Sequence, residues 1–177
     1  MSSTCIFLPP AAVGEVDARL QVAQVVAGRV EQLPFSEALA GLTGAWRLVL
    51  PVEAVTACAV RLPTQKARWL RQALPFAVEE LLAEDVEQMH LALGGALEDG
   101  RHRVYVIKRK WLADWLALTG EQPPAQIVFD ADLLPVEGTS LCWLWQRWLL
   151  GGKELARLAL APEDWPLLAE RCATPRV

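Results

Sequence analysis

RLPTQKARWLRQALPFAVEELLAEDVEQMH, residues 61–90, decides how this chain is read. It is a charged, helix-forming stretch interrupted by Pro75, and it leads into an alternating strand. Thr64 has the hydroxyl to take an orphan amide of a first helical turn, so it is the expected N-cap. Leu70, Leu74, Val78 and Leu81 recur at helical spacing and are expected to face a sheet. Pro75 lacks an amide hydrogen and crowds the preceding turn. A kink or break is therefore expected at Leu74-Pro75, with Pro75 suited to the first turn of a second helix. Glu79 and Glu80 should face water just beyond it. This pattern describes an interaction surface carried on an α/β scaffold.

Working outward, Thr4 to Leu8 reads as an opening strand stopped by Pro9-Pro10. Residues 20–26 and 29–33 fit a hairpin about Gly28, and a helix over 15–27 competes with it. Trp46 to Leu50 and Val55 to Leu62 read as strands, closed by Pro51 and Pro63. Met89, Leu91 and Leu93 alternate with polar or small residues, as in a half-buried strand ended by Gly94-Gly95. Arg103 to Lys108 is the returning strand of a hairpin. Trp111, Leu112, Trp115, Leu116 and Leu118 form the apolar stripe of a helix, with Gly120 placed to end it. Gln126 to Phe129 is a strand, expected to run parallel to the one before that helix. Leu141 to Leu150 fits a strand or a strand pair, Gly151-Gly152 a turn, and Leu155 to Leu160 a strand. Pro162 opens a final helix, and residues 174–177 read as a frayed tail. The fold class expected is α/β, with mixed sheets and flanking helices.

The composition is that of an ordinary, slightly apolar globular chain: 53% hydrophobic and 21% charged over 177 residues. A net charge of -4 creates no field that would draw the surface to nucleic acid or an anionic membrane. The N-terminus lacks the basic start and apolar core of a secretory signal. No stretch reaches the ~18 apolar residues that span a bilayer. Cys5, Cys58, Cys142 and Cys172 share no CxxC spacing and are expected as plain thiols. Only His90 and His102 exist, so no clustered zinc ligands are available.

Several chemistries were weighed on their residues. Phosphate binding needs glycines after a strand, and neither GxxxxGK[ST] nor GxGxxG occurs. Pro9-Pro10 instead removes two amide donors after the first strand. His90 should point away from the core side of Met89 and Leu91, and no serine or cysteine sits on a nucleophile elbow, so no catalytic residues are assigned. The basic run Arg101, Arg103, Lys108, Arg109 and Lys110 is read as the solvated face of an edge strand rather than a nucleic-acid patch. Trp69, beside Arg68 and Arg71 and off the Leu70/Leu74 face, fits either core packing or a protein–protein hot spot. Asp130 and Asp132 follow a parallel strand, where α/β sheets present binding groups. With no third ligand in view they suit a turn, or a pair with a partner's arginine, better than a metal.

The run LPTQKARWLRQALPFAVEELLAEDVEQMHLALG at 62–94 resembles the cytoplasmic region of type II secretion system protein L, the GspL family. Its features are Leu62-Pro63, Arg68 and Arg71, the Ala73–Glu80 core, Glu84-Asp85 and His90. The tryptophan pair 111 and 115, followed by a strand and Asp130-x-Asp132-Leu133-Leu134-Pro135, matches as well. The resemblance covers about 62–136 well and the flanks loosely. It implies lobes like those of actin-like ATPases and ribonuclease H, with a degenerate nucleotide site, no cofactor and no enzyme activity. It also implies a scaffold at the bacterial inner membrane, on its cytoplasmic side. That scaffold would recruit the secretion ATPase, GspE, through its N-terminal domain. A GspM-type platform protein, other platform components and self-association are further implied partners. On this reading residues 1–177 are two α/β lobes of a cytoplasmic region with a boundary near 94–101, and the transmembrane and periplasmic parts are absent. Candidate partner contacts are Asp130, Asp132, Arg68, Trp69, Arg71, Glu79 and Glu80. The rival function is a nucleotide-binding, actin-like ATPase.

Overall fold

Strand β1 (Thr4–Phe7) lies inside a sheet, and Pro9-Pro10 ends it by starting a 3-10 turn, Pro10–Val13. β2 (Gln21–Val26) and β3 (Arg29–Pro34) follow as the expected hairpin, which excludes the helix over 15–27. Its two-residue turn places Ala27 at φ 50° and Gly28 at φ 80°, the left-handed pair that matches strand twist. Helix α1 (Phe35–Ala40) buries Phe35 and Ala38. β4 (Trp46–Leu50) is buried at every residue but Arg47, as a parallel strand covered on both faces must be. The computed structural model describes residues 4–62, 67–97, 99–135, 137–152 and 157–166.

After β4 the chain enters an inserted unit, Ala54–Pro123, while Met1–Glu53 and Pro124–Val177 form the other. The insert contains β5 (Val55–Val60), α2 (Ala67–Val78), β6 (Met89–Ala96), β7 (His102–Lys108) and α3 (Arg109–Ala117). Its sheet has the order β5-β7-β6, antiparallel throughout. Leu74 and Val78 of α2 pack with Val60, Met89, Val104 and Val106, the core of this unit. The expected boundary near 94–101 falls instead inside this unit, at the β6–β7 connection. Glycine there marks a turn between paired strands rather than a linker.

Three expectations about this unit are corrected. Of the kink or break expected at Leu74-Pro75, the break is absent, because α2 runs through Pro75 to Val78. Proline costs a helix interior about 3 kcal/mol, but Leu74 and Val78 on either side are buried in one core and hold the turn in register. Leu81 does not face the sheet: a 3-10 turn, Glu79–Leu81, carries it out to solvent. β6 does not end at Gly94-Gly95 but passes through a bulge between Leu93 and Ala96. A Cβ on Gly94 would lie 3.0 Å from the Tyr105 ring and 3.1 Å from the Arg103 carbonyl oxygen, so a side chain here would force its neighbours to shift. Thr64 lies outside the described residues. His90 is exposed while Met89 is buried, as their opposite facing predicts.

β8 (Gln126–Phe129) returns to the first sheet and pairs parallel with β4, not with the strand before α3. The reason is available pairing: β7 is already bonded on both sides, whereas β4 has one side free beyond β1. The sheet order is β3-β2-β1-β4-β8, with β1 and β4 parallel and β2 antiparallel to β1. A 3-10 turn, Asp130–Leu133, leads to β9 (Thr139–Leu144), β10 (Arg147–Gly152) and β11 (Leu158–Leu160), an antiparallel sheet. The stretch 141–150 is thus a strand pair. Gly151 and Gly152 belong to β10 and are not a turn; a Cβ on Gly151 would strike the carbonyl oxygen of Ala131. The 3-10 turn Pro162–Asp164 follows, and residues 174–177 lie outside the described set.

The Ala27-Gly28 turn generates a stability prediction. An L-residue in the left-handed region costs roughly 1–2 kcal/mol, and asparagine tolerates it best. Ala27 is exposed. Ala27→Asn should therefore raise the urea midpoint by about 1 kcal/mol equivalent, with unchanged denaturant slope. A lowered midpoint would contradict this turn geometry.

Candidate functional site

The carboxyl ends of parallel β4 and β8 are where an α/β sheet presents ligand-binding groups. Here one arginine fills that position. Arg147 opens β10, where it is the only charged residue between Leu141 and Leu150. Its Nη2 donates to Asp130 Oδ2 at 2.6 Å and to Glu53 Oε2 at 3.0 Å, and its Nε also donates to Glu53. Its Nη1 donates to the Leu144 carbonyl at 3.0 Å. Asp130 is 4% exposed, and its other oxygen accepts the amides of Val52 at 3.0 Å and Ala131 at 2.7 Å. Every buried polar atom of this cluster that carries charge has a partner, which is what makes its burial tolerable.

Burial pushes the Asp130 carboxyl above its ordinary value, and Arg147 opposes but does not cancel that effect. For Arg147 burial works against the charge, yet the bonds to Glu53 and Asp130 outweigh it, so its value is raised. Both values are raised, which disfavours the charged form of Asp130 and favours that of Arg147. Asp130 is the one with consequences, since the guanidinium stays charged wherever a carboxyl titrates. Asp132 is half-buried and receives the Nε of Arg157 at 2.7 Å; Arg157 Nη2 also donates to the Gly152 carbonyl at 3.0 Å. Both aspartates therefore make ion pairs inside their own unit. Asp130 in particular is withdrawn from any partner by burial.

The remaining candidates lie on the inserted unit. Trp69 and Phe76 are 53% and 79% exposed and stand seven positions apart on α2, two turns along one face. Leu74 and Val78 occupy the buried face. Glu79 and Glu80 are exposed in the turn that follows. The side chains of Arg68 and Arg71 lie outside the described residues. Phe76 was legible as a partner for Trp69 from its spacing, and Arg147 as a lone charge in an apolar run; neither was singled out from the sequence. Leu81 and Phe76 add apolar surface where only charge was expected.

The basic run is largely engaged within the chain. Arg101 pairs with Asp99 at 2.6 Å, Lys108 with Glu84 at 2.9 Å and Lys110 with Asp114 at 2.6 Å, while Arg109 donates to the Met89 carbonyl at 3.0 Å. Cys5, Cys58 and Cys142 are in no disulfide, and burial raises the thiol of Cys58. Cys172 lies outside the described residues. Among the described residues no group of three or more His, Cys, Asp or Glu could hold a metal.

Removing one member of a buried ion cluster costs about 3–5 kcal/mol, whereas replacing all members with apolar residues is often neutral. Arg147→Met should therefore destabilise the chain by that order at neutral pH. Because Asp130 titrates higher in the folded chain, the folded state binds more protons there than the unfolded state does. Stability contributed by this group falls as pH rises through that window. Losing Arg147 raises the group further, so the deficit of Arg147→Met should shrink on acidification toward the ordinary carboxylate range. The triple change Glu53→Leu, Asp130→Asn, Arg147→Met, which keeps an acceptor for the amides of Val52 and Ala131, should recover much of the loss. Denaturant titrations at several pH values check this; a single variant as stable as the parent at neutral pH would refute it.

Comparison with known proteins identifies the framework. The family model for type II secretion system (T2SS) protein L matches residues 7–177. Protein L of Pseudomonas aeruginosa is 59% identical over 175 residues, covering 98% of this chain and 46% of the relative. Protein L of Dickeya chrysanthemi is 31% identical over 141 residues, covering 73% of this chain and 35% of the relative. The chain thus spans less than half the length of these relatives. Among solved structures, the cytoplasmic domain of EpsL, an inner membrane component of the Vibrio cholerae type II secretion system, superposes with a TM-score of 0.72 at 20% identity. That match covers 96% of this chain and 75% of EpsL's. A chain of the PilM-PilN type IV pilus biogenesis complex superposes with a TM-score of 0.53 at 14% identity, covering 98% of this chain and 66% of that one. At such identities these structures establish the fold, which is the expected actin-like α/β architecture. On the family match and the Pseudomonas relative together, this chain belongs to the type II secretion system protein L family.

Proposed function

We infer that this chain is a non-catalytic docking part of the type II secretion machinery, held at the cytoplasmic face of the inner membrane. Its role is to capture the secretion ATPase, GspE, for protein export. The observation that carries this reading is the occupied sheet end: Arg147 bonds Glu53 and Asp130 where a ligand of an α/β sheet would enter. Pro9-Pro10 after β1 removes two amide donors from the same class of position. Function then falls to surface features, and α2 supplies the chemistry of a hot spot. It has two outward aromatic side chains, an apolar neighbour in Leu81, and the carboxylates of Glu79 and Glu80.

No described helix is long and apolar enough to cross a membrane, and the chain spans less than half the length of its curated relatives. A GspM-type platform protein and a second copy are further partners under this reading. The rival, a nucleotide-binding actin-like ATPase, draws its support from the shared fold. Fold alone does not carry function, and the residues at the sheet end favour the scaffold.

The test is capture of the N-terminal domain of GspE by the immobilised chain. Truncating a hot-spot side chain costs about 2 kcal/mol or more, roughly thirtyfold in affinity. Trp69→Ala and Phe76→Glu should each weaken capture by that order while circular dichroism is unchanged. Glu79→Lys with Glu80→Lys should act chiefly on the association rate and its salt dependence. Undiminished capture by the aromatic variants would remove α2 from the interface, and no capture by the parent chain would remove the reading itself.

A further inference from the structure

The inserted unit has a second surface built differently from α2. β6 is an edge strand of its sheet: β7 pairs with one side, and no described strand pairs with the other. Edge strands in natural proteins usually carry lysine, proline or charge that discourages pairing. β3, the edge of the first sheet, has Arg29, Glu31 and Pro34, and the edge strands β8 and β11 are short. From Met89 to Leu93 β6 has no such residue. The bulge after Leu93 then ends the straight edge.

Beside this edge lies an open groove of about 1030 Å³. Leu74, Pro75, Val86, Met89 and Leu91 line it, with Arg109 at its wall. Leu93, 37% exposed, continues the apolar side along the strand. An edge strand with no described strand beyond it, next to a groove with an apolar wall, meets both needs of an added strand: backbone pairing, and pockets for every second side chain.

Charge decides the occupant. Glu79, Glu80, Glu84, Asp85 and Glu87 are all exposed on the segment that leads into β6. Against them stand Lys108, bound to Glu84, and Arg109, bound to the Met89 carbonyl. Glu87 lines the groove, and the acids just before it in sequence outnumber Lys108 and Arg109, so the segment that brings the chain into β6 is acidic. A second copy pairing through its own β6 would bring acids to that segment, since the strand is flanked by Glu87 on one side and Glu98-Asp99 on the other. A complementary strand carries lysine or arginine at its ends.

We propose that the β6 edge and its groove dock an extended, apolar segment of a partner protein that is flanked by basic residues. The groove shares Leu74 and Pro75 with α2 but uses neither Trp69 nor Phe76, so loss of peptide binding with GspE capture retained separates this proposal from the function proposed above. The test is selection of random twelve-residue peptides on the immobilised chain, followed by binding of fluorescein-labelled winners in solution. The winners should alternate apolar with other residues and carry lysine or arginine at their ends. N-methylation of one alternating set of peptide amides should weaken binding at least tenfold, and methylation of the other set should not. Glu87→Lys should weaken binding at least tenfold, and Leu93→Asp likewise, with circular dichroism unchanged. Four results would each overturn the proposal: no enriched peptide; acidic or helical winners; indifference to both methylation sets; or equal binding by the Glu87→Lys chain. Concentration-dependent self-association that Leu93→Asp abolishes would assign the edge to a second copy and overturn it too.

Discussion

The bonds from Arg147 to Glu53 and Asp130 tie together three parts of the chain that are far apart in sequence: the exit of β4, the exit of β8 and the start of β10. Each carboxylate alone would be an uncompensated charge in a poorly solvated place, and the arginine alone would be worse. Together they form a closed set in which Asp130 also fixes two main-chain amides. The same strand adds a second constraint a turn of sequence later. Gly151 leaves no Cβ, so β10 can run against the carbonyl of Ala131 in the Asp130–Leu133 turn. Ion cluster and glycine contact therefore seat β10 on one short turn, and β9 and β11 follow through their ladders with it.

This arrangement has a functional consequence. A guanidinium that satisfies both carboxylates occupies the place where related architectures receive a ligand, and it does so with planar, directed bonds that a mobile lysine would not reproduce. What the unit offers outward is then set by its surface, and the inserted unit carries the most distinctive surface of the chain. α2 buries one face in a small core and turns two aromatic rings to solvent. Isolated exposed apolar residues are ordinary, but two large rings on one helix face, next to a further apolar residue and two acids, form a patch.

Local chemistry made much of the fold legible in the sequence. Strand ends fell where proline removed a donor, at Pro9 and Pro51, and the β2–β3 hairpin followed from alternation around Gly28. Pairing partners were not legible, because they depend on which strand has a free side. That is why β8 joined β4 rather than the strand before α3. The β9–β10 hairpin stood in the sequence only as an alternative to a single strand, because its turn is Trp145-Gln146, at φ 54° and 59°, without the glycine or asparagine that announces such turns. Pro75 misled because burial of Leu74 and Val78 outweighs a local helix penalty. At the candidate site the acids of the sheet end were visible, but their owner was not. Arg147 lies seventeen residues from Asp130 and ninety-four from Glu53, and no spacing rule connects them.

The central claim is that the sheet end is filled from within and the chain works by docking proteins rather than by binding nucleotide. Thermal unfolding of the chain across a titration of ATP with magnesium tests it most directly. The account predicts a midpoint that tracks magnesium alone, with nothing added by the nucleotide. A saturable rise specific to ATP, reaching the ~2.7 kcal/mol expected at a hundred times the dissociation constant and competed by ADP, would contradict it.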